Sequence, residues 1–482
     1  MKFFLNIKNF LCIFFILLNY SNEQKEELRW AFEIFRHGAR TPYGGMFYTN
    51  SNYYDCFNQK WIGVKELTGV GLRQHFLVGY RNRLKYMIEN RLISEQYDPR
   101  EVYLISTDSN RTIMSANAQV QGLYLPQTGP SLSEEQANVA VPPVKIEEYD
   151  EEKKILDEDN YTVLPNRMNI MPIHNFFTKE HFIQLQDKKV CPNAAQIYDN
   201  NQNRKEVVDF LNNMTDKYGK NLAKILIENK YNETSLKNYT NAYNIFDTII
   251  AHYTEGNDYF NETIVPTLNV PADELLNDSF KFFEYDLIGN GINNDEELCL
   301  HSMSPIFDRL IKWMNLKIEK DISNLEDYTE YDLPKFVMFS AHDSTCGTFM
   351  GFMKALFKTD IRYPYFATNI NLELIRKGEA KIENYYVKYI INDEEMGEYK
   401  FTEFEEEFNN KRKSTDEINV FCGFTKTNEK ESTHIYLIVN IILSVISLAL
   451  IALIFFTIKK KKKAVNDIDV EKVEPLNRLS EE

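Results

Sequence analysis

The run Trp30-Ala31-Phe32-Glu33-Ile34-Phe35-Arg36-His37-Gly38-Ala39-Arg40-Thr41-Pro42 decides the fold. Trp30 to Phe35 reads as a short apolar strand, and a Gly-containing loop opens from Arg36 to Gly45. Two arginines flanking a histidine at the carboxyl end of a strand place permanent cations where open α/β sheets bind ligands. A glycine beside the histidine is expected to let an anion approach the backbone. Neutral imidazole is a competent nucleophile near or below neutral pH, and arginine heads hold a phosphoryl group in line with it.

Two further strand ends repeat the pattern. Leu67, Leu72, Phe76, Leu77, Tyr80, Leu84, Met87 and Ile88 recur at helical spacing, with Thr68 suited to cap the helix. Val102 to Ser106 is then a second strand, and Asp108 is expected to cap a helix running to about Leu125. The Thr107-Asp108-Ser109-Asn110-Arg111-Thr112 junction offers a third arginine and helix N-terminal amides to the same anion. Phe336 to Ala341 is a third strand, ending in Ser340-Ala341-His342-Asp343-Ser344-Thr345. Alone, Arg111 reads as a surface residue and His342-Asp343 as a helix cap; three such ends in one chain point to anion binding with acid-base chemistry.

Strands alternating with helices predict a three-layer α/β/α core with a largely parallel central sheet. The stretch 131–325 is rich in Asn, Glu and Lys and weakly helical in period, so it reads as an inserted, mostly helical cap between core segments 25–130 and 326–425. Sequons at Asn160, Asn213, Asn232, Asn238, Asn261 and Asn277 all fall in it and are expected to carry glycans. Asp286, Asn290, Gly291 and Glu297 match four positions of an EF-hand loop, but Ile288 stands where calcium needs oxygen, so no metal site is expected.

The blocks Arg36 to Pro42, Leu67-Thr68 with Gly71 and Arg73-Gln74-His75, Ile105 to Ala116, and Phe339 to Thr345 together resemble the histidine acid phosphatases, a branch of the phosphoglycerate-mutase-like fold. Pro364-Tyr365 with Asn369 to Glu373 resembles the family's following strand more loosely. The resemblance implies His37 as nucleophile, Asp343 as proton donor, and Arg36, Arg40, Arg111 and His342 as phosphate ligands, with no metal or other cofactor. It implies a phosphohistidine intermediate, an acid optimum and a disulfide between Cys191 and Cys422. The His-Asp pair fits acid phosphatases better than inositol-polyphosphate phosphatases, where His-Ala-Glu is usual. A phytase or lipid-phosphate phosphatase of the same family, a mutase of the same fold, and a non-catalytic anchored ectodomain are the alternatives.

The ends set the compartment. Lys2 and Lys8 precede the apolar stretch Phe10 to Leu18, and Ser21 is a small residue at the expected cleavage site, so 1–21 reads as a signal peptide. Residues 435–458 carry no charge and are long enough for the roughly 30 Å hydrocarbon core; five lysines, Lys459 to Lys463, follow at once. The positive-inside preference leaves 459–482 as a cytoplasmic tail and 22–434 in the lumen or outside, a type I arrangement at a lysosomal, phagosomal or surface membrane. Cys56, Cys191, Cys299, Cys346 and Cys422 then lie in an oxidising compartment, and their odd number leaves at least one free or paired between chains. A net charge of −16 without a basic stripe argues against nucleic acid. The expected partners are a phosphate monoester and the membrane, with a homodimer left open.

Overall fold

The structure, a computed structural model, describes residues 26–43, 63–144, 147, 149–158, 161–175, 191–226, 232–288, 295–324, 333–424, and 443, 444, 446, 447, 450, 451, 453, 454 and 456–459. Contacts divide the chain into two units, Met1–Cys422 and Gly423–Glu482.

In the first unit the strands β1 (Glu26–Arg36), β2 (Val102–Ser106), β3 (His174–Asn175), β4 (Phe336–Ala341), β5 (Asn369–Lys377), β6 (Tyr385–Ile391) and β7 (Glu394–Lys400) form one sheet in the order β3-β2-β4-β1-β5-β6-β7. Pairs β3/β2, β2/β4 and β4/β1 are parallel; β1/β5, β5/β6 and β6/β7 are antiparallel. The expected parallel sheet thus occupies one half, and the other half is a meander, because the short turns after β5 and β6 allow only antiparallel return. All three motif-bearing strands lie in the parallel half, so His37, Thr107 and His342 leave the sheet at the same edge.

Alternation along β1 sorts the layers. Trp30, Phe32 and Ile34 join one buried cluster with α6 (Asp295–Ile322), α7 (Asp343–Phe357) and α8 (Phe401–Lys411), through Phe307, Phe349, Phe352 and Phe404. Ala31 and Phe35 point the other way, to α1 (Gly69–Asn82) and α2 (Asn110–Leu123), with Ala116, Val120 and Leu123. This is the period of two that makes a sheet buried on both faces. A separate cluster is built by α3 (Lys205–Leu222), α4 (Tyr239–Glu255) and α5 (Ala272–Ile288), from Val207, Leu211, Tyr218, Phe246, Ile249 and Phe282. These three helices are the cap. Helix α6, inside the stretch assigned to the insert from sequence, packs instead on the sheet.

Helix α1 turns a different face inward from the one its apolar residues mark. Thr68 does cap it, accepting from Gly71 N at 3.2 Å. The buried positions, however, are Gly71, His75, Gly79 and Asn82, while Phe76, Leu77, Tyr80, Leu84 and Ile88 are exposed, Leu77 to 56%. Close backbone contact decides the matter. A Cβ on Gly79 would fall 1.9 Å from Gln119 O, and one on Gly122 would fall 2.0 Å from Phe76 O, so α1 and α2 cross where neither has a side chain. Helix α2 starts one residue later than expected: Ser109, not Asp108, is its N-cap, without a side-chain cap bond.

Cys191 and Cys422 form a disulfide across 231 residues, beside Ala194, Leu298 and Ile418. Cys299 and Cys346 are buried, and Cys56 lies outside the described residues. Asp286 is engaged within the cap, accepting from the Tyr239 hydroxyl, and Asn290 and Gly291 lie outside the described residues. In the second unit the described residues between Leu443 and Lys459 are helical with exposed apolar side chains. Among the described residues no helix is long and apolar enough to cross a membrane.

Candidate active site

His37 follows β1 directly and is buried. Its Nδ1 lies 2.8 Å from Gly38 O, and a carbonyl can only accept, so Nδ1 carries the proton and Nε2 keeps the lone pair. Burial, and then Arg36, Arg111, Arg40 and His342, push its pKa well below the ordinary histidine range. His37 therefore stays neutral in acid. Gly38 earns its place differently from the sequence expectation: a Cβ there would lie 2.4 Å from Gly71 O, so the glycine lets α1 start against the loop.

The three arginines are held in three different ways. Arg36 donates through Nη1 to Tyr363 Oη (3.0 Å) and Pro364 O (2.8 Å), and its Nη2 sits 2.6 Å from Asp343 Oδ2. Arg40 gives Nη2 to Asp247 Oδ1 at 2.7 Å and Nη1 to Asp247 Oδ2 at 3.2 Å. Arg111 donates through Nη2 to Tyr43 Oη and reaches His342 Nδ1, both at 3.3 Å. Aromatic faces pad the cations, with Arg36 4.2 Å from the Phe366 centroid and Arg40 4.5 Å from that of Tyr43. The Nε atoms of all three are buried without a hydrogen-bond partner. The three guanidiniums, brought beside His37 from two strand ends, make a socket suited to an oxyanion.

His342 is the N-cap of α7, and its tautomer follows from its neighbours. Thr112 Oγ1 donates to carbonyl oxygens, Thr107 Oγ1 donates to Thr112 Oγ1 at 3.0 Å, and His342 Nε2 is 3.0 Å from Thr107 Oγ1. The chain of donors requires the proton on Nε2, which leaves Nδ1 to accept from Arg111. Burial and then Arg111 lower its pKa to about 3, against the pull of Asp343. Asp343 opens α7, with Oδ1 accepting from Ser344 N at 2.9 Å. Burial alone would raise its pKa, but Arg36, Arg40 and His342 outweigh burial and hold it below the usual value, so it rests as a carboxylate.

All six residues expected from the sequence, Arg36, His37, Arg40, Arg111, His342 and Asp343, lie in this one cluster. The sequence reading missed Asp247, which also accepts from Tyr43 N at 2.8 Å, and the walls Tyr43, Tyr363 and Phe366. A lone carboxylate between Phe246 and Ile249 on the apolar face of α4 was the available signal. Asn213, Asn232, Asn238, Asn261 and Asn277 are exposed; Asn160 lies outside the described residues.

Known proteins similar to this chain include phosphatases. The model of the histidine phosphatase superfamily, branch 2, matches residues 27–392. Lysosomal acid phosphatase of Xenopus laevis is 26% identical over 328 residues, 67% of this chain and 61% of that protein, so the chain spans under two thirds of that relative's length. Prostatic acid phosphatase of Homo sapiens is 34% identical over 118 residues, 24% of this chain and 28% of that protein. Among solved structures, the Bifidobacterium longum multiple inositol polyphosphate phosphatase with inositol hexasulfate covers 81% of this chain and 94% of its own, at 12% identity and a TM-score of 0.48.

Proposed function

We propose that this chain, which belongs to branch 2 of the histidine phosphatase superfamily, is a metal-independent acid phosphatase that hydrolyses phosphate monoesters through a phosphohistidine on His37. The observation that carries the reading is the Nδ1 bond of His37 to Gly38 O, which leaves an unprotonated Nε2 in acid beside three arginines. Nε2 attacks phosphorus, the P–O bond to the alcohol breaks, and the alcohol oxygen takes a proton from Asp343.

Asp343 rests ionised, so its proton must arrive with the substrate. A phosphate monoester has a second pKa of about 6 and enters as a monoanion in acid. When Arg36 exchanges the carboxylate for a phosphoryl oxygen, the charge that lowers the Asp343 pKa is spent, and the monoanion's proton moves to Asp343. Water, deprotonated by the same carboxylate, then attacks phosphorus and breaks the N–P bond. Acid is needed to deliver the proton, while the nucleophile tolerates it.

Rapid acid-free quench with 32P-labelled substrate tests this: wild type should yield a phosphoenzyme mapping to His37, and His37→Ala should yield neither phosphoenzyme nor turnover. Turnover by that variant, or its loss in wild type on EDTA treatment, would overturn the reading.

Export and anchoring belong to the same proposal. Residues 1–21 direct secretion, 435–458 span the membrane and Lys459 to Lys463 hold the tail in the cytoplasm; the lysosomal acid phosphatases among its relatives favour a lysosomal lumen. The five exposed sequons suit glycans on the cap.

A further inference from the structure

Beneath the nucleophile runs a buried polar chain that the phosphoryl chemistry does not use. Glu33, in the middle of β1, is wholly buried and points to the α1/α2 side. Its Oε2 accepts from Asn82 Nδ2 and Gln119 Nε2, both at 2.7 Å, and its Oε1 has no partner. The Gln119 Oε1 lies 2.9 Å from His75 Nδ1, and His75 Nε2 lies 3.0 Å from Arg36 O. Arg36 O belongs to the peptide that joins Arg36 to His37. The glycine crossing of α1 and α2 brings Gln119 and His75 together.

With Gln119 Nε2 turned to Glu33, both ring nitrogens of His75 face acceptors, and the ring needs two protons. With the amide rotated by 180° and Glu33 protonated, Glu33 donates to Gln119 Oε1, Gln119 Nε2 donates to His75 Nδ1, and neutral His75 donates from Nε2 to Arg36 O. Both arrangements hold the same number of protons; the second carries no buried charge. Removing one proton leaves one contact mismatched: Gln119–His75, His75–Arg36 or, with the amide still rotated, the Glu33 carboxylate against Gln119 Oε1, the costliest of the three because two oxygens then face each other.

We infer that Glu33 is a positioning residue for the nucleophile: protonated, and acting through Gln119 and His75, it fixes the Arg36–His37 peptide, and its ionisation releases that grip. Burial supports the neutral form at both ends, raising the Glu33 pKa to about 7 and lowering that of His75 to about 4. Two cations oppose it at Glu33, Arg81, which also donates from Nη1 to Asn82 Oδ1 at 2.9 Å, and Lys85, but burial outweighs both, and each has an anionic partner of its own. Arg81 pairs with Asp393, Lys85 pairs with Glu373 at 2.5 Å, and from β5 Glu373 also accepts from Tyr86 Oη at 2.6 Å, while Asn371 Nδ2 donates to Tyr86 Oη at 3.0 Å. The partnerless Oε1 favours the acid form, because an unsatisfied neutral oxygen costs less than an anionic one.

The inference rests on the phosphatase reading, and two measurements on the full-length protein separate them. In kcat/KM against pH for a phosphate ester, Glu33→Gln should lose one ionisation from the basic limb. At pH 8 it should keep about tenfold more of its own maximum than wild type keeps of its own. A basic limb superimposable on wild type overturns the inference. Independently of activity, 15N spectra of histidine-labelled wild type, with His75 assigned by His75→Gln, should show Nε2 protonated in acid and a tautomer change across the interval of the basic limb. A His75 ring unchanged from pH 5 to 8 overturns it as well, even if the variant fails to fold.

Discussion

The two walls of the socket each hold an arginine on an aspartate, and they hold it differently. On the sheet wall, Asp343 meets Arg36 through one oxygen at 2.6 Å and gives the other to Ser344 N. On the cap wall, Asp247 takes both Nη atoms of Arg40 and the Tyr43 amide as well. The single contact can be exchanged for a phosphoryl oxygen, whereas the bidentate pair resists exchange and, with Nη1 also donating to Thr41 O, leaves Arg40 one Nη2 hydrogen and Nε to offer. The cap aspartate therefore moderates the charge of the socket, setting two carboxylates against three guanidiniums, and ties the cap to the nucleophile loop. The sheet aspartate is the one free to carry a proton.

The largest effect that would sharpen this contrast is on Asp343. Asp343→Asn should slow phosphoenzyme formation by about two to four orders of magnitude on an alkyl phosphate, and visibly less on p-nitrophenyl phosphate, whose leaving group needs no proton. Equal losses on both esters in a rapid-quench measurement would break the contrast, making Asp343 another fixed partner like Asp247.

Asp247→Ala should act first on stability. It leaves Arg40 buried and unpaired, a loss of about 3–5 kcal/mol in denaturant unfolding. Inorganic phosphate should then raise Tm more in the variant than in wild type, since the anion replaces the missing carboxylate. An equal phosphate response would mean that Arg40 does not face the anion.

Beneath both walls, Glu33 supplies a pH-dependent stability of known sign. Burial raises its folded pKa to about 7, above the ordinary glutamate range, so the folded state holds the proton more tightly. The stability is present below the unfolded pKa and is lost as pH rises through the folded one. Relative to Glu33→Gln, wild type should lose about 3 kcal/mol between pH 4.5 and 7. A pH-independent difference between the two would show that Glu33 stays ionised.

The smallest effect expected is none. Ending the chain after Lys430 keeps every residue of both walls and the Cys191–Cys422 bridge, so the secreted product should match the full-length kcat/KM within about twofold. A larger loss would assign the segment after 430 a part in the fold.

The sheet wall was legible because its chemistry is contiguous. Arg36-His37, Thr107 to Arg111 and His342-Asp343 each sit where a strand of β-branched and aromatic residues breaks into a loop or helix, and both the break and the motif are local. The cap wall was not. Asp247 is 207 residues from Arg40, and nothing in Phe246-Asp247-Thr248 says which cation it meets.

What the sequence by itself determined, then, is the set of strands β1, β2 and β4, the helix start at Thr68, and the six residues at the strand ends, because strand period, helix capping and motif adjacency act over a few residues. Tertiary structure alone decided the rest. It turned Gly71, His75, Gly79 and Asn82 of α1 inward against the apolar periodicity, since two backbones at van der Waals contact exclude any larger face. It made half the sheet antiparallel, moved α6 from the cap to the core, brought Asp247 to Arg40, and linked Glu33 to His75 through Gln119. Each of these depends on which surfaces meet across scores or hundreds of residues, and that is a property of packing, which no short stretch of chain carries.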